Sequence, residues 1–166
     1  MRYLVNFAGI NYDFVVYINS LYPNLKFNWA MNYPTRKKGD VEITKEAMDE
    51  ATEQQNYFLG GSSDYLSNTT TVWVSKAIYN ALKTKQPIEI NADGNSEMLE
   101  YIRDYEYETV LNDEVIFLPT LYAESDRGNK LWILDNPDNP IILKMVLEWN
   151  IEIGSIETKE YIDKDK

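Results

Sequence analysis

Carboxylates and hydroxyls make up most of the side chains in this sequence that could do chemistry. The 166 residues include 27 Asp and Glu but neither Cys nor His. This composition excludes thiol nucleophiles, Ser-His dyads and Cys/His zinc sites. No Ser-x-x-Lys or Gly-x-Ser-x-Gly motif is present, so serine hydrolysis has no signature. The chemistry left open is carboxylate acid–base catalysis and metal binding through oxygen ligands.

Three acids alternate with tyrosines in one stretch. Asp104, Glu106 and Glu108 would share one face of a strand, with Tyr105 and Tyr107 on the other. Paired carboxylates about 5–10 Å apart can hydrolyse glycosides. Three neighbouring acids on one face are more typical of a solvated strand edge that resists aggregation. The pattern therefore predicts an edge.

Asp135 and Asp138 lie in the hexapeptide Asp-Asn-Pro-Asp-Asn-Pro, which follows an apolar run. An aspartic protease would need Asp-Thr/Ser-Gly here and a second Asp. A calcium loop of the EF-hand type would need more acids and a central Gly. Asp and Asn beside Pro are standard turn residues. We predict a rigid connection between strands that end near Leu134 and begin near Ile141, with Asp135 accepting backbone hydrogen bonds inside the turn.

The net charge of −11 argues against binding to nucleic acid or to anionic lipid surfaces. The one basic cluster, Arg36 to Lys38, precedes Gly39 and indicates a solvated turn rather than an anion site.

The sequence 60–63, Gly-Gly-Ser-Ser, lacks the Lys of a phosphate-binding loop and predicts the end of a helix. Thirteen Tyr and four Trp mainly predict core, with an aromatic-lined ligand cleft as the alternative.

The elements that would position these groups are mostly strands. Alternation of apolar residues predicts about eight to ten strands, mainly antiparallel, and this number allows a curved or open-barrel sheet. Two short helices are expected near 45–58, after an N-cap at Thr44, and near 76–84, after Ser75. Because the helices cluster in the middle of the chain, the class is α+β rather than doubly wound. The stretches with a strand pattern, from which this count is drawn, are 3–7, 13–18, 26–32, 41–43, 70–74, 87–90, 105–111, 115–122, 131–134, 141–145 and 149–156.

Two stretches are less regular. Residues 97–103 fit both a helix and a strand, and we expect the strand only from about Asp104.

Residues 1–157 are predicted to form one domain, and the charged segment 158–166 is predicted to be a frayed tail. No run of about 18 apolar residues occurs, so no membrane-spanning segment is predicted.

The closing segment Trp132 to Lys144 reads Trp-Ile-Leu-Asp-Asn-Pro-Asp-Asn-Pro-Ile-Ile-Leu-Lys. It resembles a motif at the end of uncharacterised bacterial cell-envelope proteins, where a strand runs into Leu-Asp-(Asn/Asp)-Pro, Asn-Pro and a Leu/Ile-rich strand. The stretches 27–31, the turn at Gly39, the first helix and 71–75 are similar to the upstream part of the same proteins. The resemblance covers most of the chain. It implies a secreted or periplasmic β-rich module, with no known activity and no catalytic residue.

Three functional hypotheses follow. The first is a non-enzymatic binding or structural module of the periplasm or cell envelope, whose partner is an apolar ligand or an envelope protein. An export signal would then be needed that this chain does not show. The second is a carboxylate- or divalent-metal-dependent hydrolase. The third is an interaction module that pairs partners with exposed strand edges. No catalytic residue, metal ligand or cofactor is assigned.

Overall fold

A computed structural model describes residues 1–162, which form one large, mostly antiparallel sheet with a few short helices. The helices are α1 (Lys45–Glu50), α2 (Lys76–Lys83) and the single turn α3 (Lys159–Ile162). The strands are β1 (Arg2–Phe7), β2 (Ile10–Ser20), β3 (Leu25–Met31), β4 (Lys37–Ile43), β5 (Glu53–Gln54), β6 (Ser63–Leu66), β7 (Thr69–Thr70), β8 (Ile88–Ala92), β9 (Asn95–Leu111), β10 (Glu114–Ser125), β11 (Lys130–Leu134), β12 (Ile142–Val146) and β13 (Asn150–Ile156).

The sheet has 13 strands in the order β6-β4-β3-β2-β1-β13-β12-β11-β10-β9-β8-β5-β7. The end of β13 also pairs in parallel with the end of β9, so β9 to β13 form a closed ring. The mainly antiparallel prediction is confirmed, but the predicted count of eight to ten strands is too low. Two strands, β5 with two residues and β6 with four, have no counterpart in the prediction, because stretches this short show little alternation.

The first four strands bury one face, as their alternation predicts. Phe27 and Trp29 of β3 are almost completely buried, and Val41 and Ile43 lie beside them on β4. Directly opposed residues of antiparallel strands share a face. The inner face of this part of the sheet is therefore continuous from β1 to β4.

Residues 97–103 belong entirely to β9, so the predicted start near Asp104 is wrong. The two-residue turn Asp93-Gly94 has positive φ at both positions and joins β8 to β9. The pairing slips where Tyr101 opposes Ala123 and Arg103 opposes Tyr122. Ile102 is the extra residue of this bulge, and it interrupts the alternation on which the prediction depended.

The helix predicted at 45–58 is too long, because α1 ends at Glu50. The N-cap is confirmed, since Thr44 Oγ1 accepts a hydrogen bond from Ala47 N at 3.2 Å. Beyond the helix, Gln54 pairs with both β7 and β8, and its buried side chain donates to the Trp73 carbonyl. Tertiary pairing here outweighs a helix-forming composition.

The second helix is confirmed, with Ser75 accepting from the Ile78 amide at 3.2 Å. The strand predicted at 70–74 is largely wrong, since β7 ends at Thr70 and only Trp73 makes an isolated bridge, to Ile141. In the predicted tail, 159–162 form α3, and 163–166 lie outside the described residues.

The acids predicted to mark an edge are all exposed. Asp104, Glu106 and Glu108 lie in the part of β9 between its pairings with β8 and β13. Among the described strands, only β10 pairs with this stretch. This arrangement agrees with the edge predicted from the sequence, although β9 as a whole lies inside the sheet.

The closing motif joins β11 to β12, which are antiparallel as predicted. Asp135, however, does not accept backbone hydrogen bonds in the turn. Its carboxylate accepts from the Tyr79 hydroxyl at 2.6 Å and from the Lys83 ammonium at 2.7 Å, both on α2. The turn is closed by Asn136 instead, whose side chain accepts from the Asp138 amide. Asp135 therefore attaches α2 to the sheet.

These contacts determine how Asp135 titrates. Burial alone would raise the pKa of Asp135, but the hydrogen bonds from Lys83 and Tyr79 outweigh burial and hold the pKa below its ordinary value of 3.8. Burial, with the nearby Asp135, raises the pKa of the Tyr79 hydroxyl. Asp135 is thus ionised and Tyr79 neutral at pH 7.

We expect Asp135→Ala to lower the free energy of unfolding by about 1–3 kcal/mol at pH 7, because two charge-assisted hydrogen bonds are lost. A group whose pKa is depressed by folding stabilises above its unfolded pKa and loses this effect as the pH falls. Urea unfolding should therefore show the difference from wild type shrinking below about pH 4. Asp138→Ala, in the same turn but exposed, is the control and should change stability by less than about 0.5 kcal/mol. Equal losses in both variants would contradict this role.

Candidate ligand-binding cleft

The main cleft of the molecule has a volume of about 510 Å³ and lies against the inner face of the first strands. Its walls are formed by the β1–β2 hairpin, the ends of β3 and β4, the β12–β13 pair, and three loops at 33–34, 56–58 and 71–72. Its volume is within the range of small-molecule sites. The lining residues are Tyr3, Val5, Phe7, Ala8, Ile10, Tyr12, Phe14, Met31, Tyr33, Pro34, Lys37, Asn56, Tyr57, Phe58, Thr71, Val72, Ile142, Met145, Trp149 and Ile151.

The floor of the cleft is rigid and apolar. Tyr3, Val5 and Phe14 are almost fully buried, and the Tyr3 hydroxyl donates to the Ile142 carbonyl at 3.1 Å. Burial raises the pKa of Tyr3, so its hydroxyl stays protonated. The bond joins β1 to β12 across the floor.

The rim of the cleft is apolar as well. Phe7 is 56% exposed and Tyr57 is 57% exposed, while Ile10 and Tyr33 are each more than a third exposed. Single exposed apolar side chains are common, but contiguous ones around a concave surface are typical of ligand or partner sites. These four residues identify the mouth of the cleft.

Aromatic stacking builds one wall. Phe58 packs against Phe14, with ring centroids 4.9 Å apart, and against Trp29 at 5.2 Å. Tyr12 and Tyr33 stack at 5.8 Å, and burial raises the pKa of the Tyr12 hydroxyl. Pairs of this kind stabilise by about 0.5–1.5 kcal/mol beyond their buried area, so the wall is preformed.

The loop that carries Phe58 is held at both ends. Asp93 accepts from the Asn56 backbone amide at 2.8 Å and from its side-chain amide at 3.1 Å. At the other end, a Cβ on Gly39 would lie 2.7 Å from the Ser62 carbonyl oxygen and 2.8 Å from Trp29 Nε1. Only glycine allows the chain around Ser62 to approach β4 so closely.

Val72 lines the cleft with a strained backbone. Its φ is 63°, a region that β-branched residues rarely adopt. The strain is held in place because the Val72 carbonyl accepts from the Ile142 amide at 2.8 Å and the side chain is buried. Backbone outliers of this kind concentrate at functional sites.

The residues that the sequence suggested for catalysis do not meet in this cleft. Asp104, Glu106, Glu108, Asp135 and Asp138 all lie outside the lining, which contains no carboxylate among the described residues. Residues 1–162 also contain no group of three or more acids placed to hold a metal ion. The cleft offers mainly apolar contact.

The side chains of the basic cluster, Arg36 to Lys38, differ in exposure because neighbouring residues of a strand face opposite sides of the sheet. Arg36 and Lys38 are exposed, as the solvated-turn prediction requires, but Lys37 is half-buried at the start of β4 and lines the cleft. The sequence analysis therefore missed one residue of the site. Counting back from Val41 in steps of two would have placed Lys37 on the buried face.

A second aromatic cluster crosses another part of the sheet. Trp132 stacks on Tyr122 at 4.6 Å, and the Lys144 ammonium lies 5.5 Å from the centre of the Trp132 ring. Lys144 also pairs with Glu152 at 2.8 Å, and Arg103 lies over Tyr122. Each cation here has a partner, so this cluster is satisfied within the protein.

None of the residues that line the cleft lies in α1, α2 or α3. No helix in the described part of the chain is long and apolar enough to cross a membrane.

The strain at Val72 makes an unusual prediction. Val72→Ala and Val72→Gly both remove the two buried γ-methyl groups and differ from each other by one β-carbon, but only Gly adopts φ near 63° without cost. We expect the Gly variant to be more stable than the Ala variant by about 1 kcal/mol. At Val74, which has no positive φ, the Ala variant should be the more stable by about 0.5–1 kcal/mol. Denaturant unfolding measures all four, and the same order at both positions would contradict strain at Val72.

Comparisons with family models, with curated proteins and with solved structures found no match for this chain.

Proposed function

We propose that the protein is a non-enzymatic binding module that holds a small, largely apolar ligand in the main cleft. The observation that carries this proposal is the apolar rim, since Phe7, Ile10, Tyr33 and Tyr57 leave apolar area in water around a preformed cavity. A ligand that covered this area would recover about 25 cal/mol for each Å² removed from water. Pre-organised walls reduce the entropy cost of binding.

The other two hypotheses have less support. A carboxylate- or metal-dependent hydrolase would need acids at the cleft, and the lining residues include none. A module that recruits partner strands would use the sheet edges, but the terminal strands β6 and β7 have only four and two residues, and the unpaired side of β9 carries the exposed acids Asp104, Glu106 and Glu108, which discourage strand addition. Short edges present few unpaired backbone groups to a partner.

Binding can be tested with the neutral apolar fluorophore N-phenyl-1-naphthylamine, whose emission rises in apolar sites. We expect saturable binding to one site and a roughly tenfold weaker affinity for Phe7→Ser, which removes an apolar wall of the mouth. Phe117→Ser is the matched control, because Phe117 is 60% exposed but lies outside the cleft. No saturable binding, or an equal loss in both variants, would refute the proposal.

The location outside the cytoplasm remains part of the proposal, and its support is the closing motif around Asp135 to Pro140 with the resemblance that it carries. Fractionation of cells that express the natural gene should recover the protein from the periplasm or envelope. Recovery only from the cytoplasm would exclude this location but would leave ligand binding in the cleft unaffected.

A further inference from the structure

We propose that the ligand is an amphipathic carboxylate, with its apolar chain in the cleft and its carboxylate at the ammonium of Lys37. This inference rests on the proposed function and specifies the chemical class of the ligand. It depends on where Lys37 lies, on what neutralises its charge and on what holds its side chain.

The register of β4 places Lys37 on the inner face of the sheet. Lys37 is in step with Gly39, Val41 and Ile43, and the last two are buried. It also lies opposite Met31, which lines the cleft too. A lysine at this position brings a positive charge to the end of an apolar surface. Burial of charge there is costly without a counter-charge.

No carboxylate in the described part of the chain lies within 4.0 Å of the Lys37 ammonium. Asp13, which shares a neighbouring depression with Lys37, is paired with Arg2 at 2.9 Å. The protein therefore leaves this one charge of the cleft lining for an anion from outside.

The aliphatic part of Lys37 is packed rather than free. A Cβ on Gly60 would lie 3.0–3.2 Å from Lys37 Cβ, Cγ and Cδ, so the loop backbone lies directly on the stem. This contact limits the rotamers of Lys37 and reduces the entropy lost when its ammonium binds an anion.

One inward-facing cation suits a singly charged head group. A phosphate carries more charge and more acceptor oxygens, and it is usually bound by several cations or backbone amides. Lys38 is on the opposite face of β4 by register, and Arg36 is exposed in the preceding turn. A carboxylate on an apolar chain therefore fits the charge and the shape of the site.

The test uses displacement of N-phenyl-1-naphthylamine by three ligands of equal chain length, namely decanoate, 1-decanol and decyl phosphate, at neutral pH. We expect wild type to bind decanoate about tenfold more tightly than decanol, and the preference to weaken as salt screens the charge. Lys37→Met keeps the stem and should abolish the preference, while Lys37→Arg should keep it. Lys38→Met is the matched control and should behave as wild type. Thermal unfolding checks that each variant is folded.

The outcomes separate the two proposals. If the fluorophore does not bind at all, the proposed function fails. If it binds and decanol displaces it as well as decanoate does in wild type and Lys37→Met alike, the cleft binds ligands but the assignment to carboxylates is wrong. A clear preference for decyl phosphate over decanoate in wild type would also overturn the carboxylate assignment.

Discussion

The structure depends on one strand, β13, which pairs with three others. Its first residues bond to β12, its length pairs with β1, and its last residues meet β9 in parallel. Two helices of six and eight residues cannot cover a 13-stranded sheet, so the sheet must bury its apolar face against itself. The shared strand makes this folding back geometrically possible, and it brings Ile151 to the cleft beside Met145.

Trp73 connects β3 to the closing motif. Trp73 is fully buried, its ring packs on Phe27 at 5.6 Å, and its Nε1 donates to Asn139 Oδ1 at 2.6 Å. The segment that holds Trp73 also includes Val72, whose carbonyl bonds to β12. The closing motif thus holds Trp73 in place through Asn139. The strained Val72 follows from the same requirement.

Local patterns predicted what local physics controls. Strict alternation gave β3 correctly, with Phe27, Trp29 and Met31 on one face, and hydroxyl caps gave the starts of both main helices. The errors lie where long-range pairing decides. Gln54 lies in a helix-forming stretch but pairs with β8. The bulge at Ile102 interrupts the alternation of buried and exposed residues along β9. The cleft was beyond local patterns, because its walls come from parts of the chain more than a hundred residues apart.

Three features that cost stability lie around the cleft. A β-branched residue at positive φ, a rim of exposed aromatics and a core-facing lysine without an acidic partner each reduce the stability of the folded chain. Natural sequences usually violate local rules at functional sites and compensate elsewhere. These three features lie around one cavity, where a bound ligand would offset their cost. A bound amphipathic anion would satisfy the lysine and the rim together.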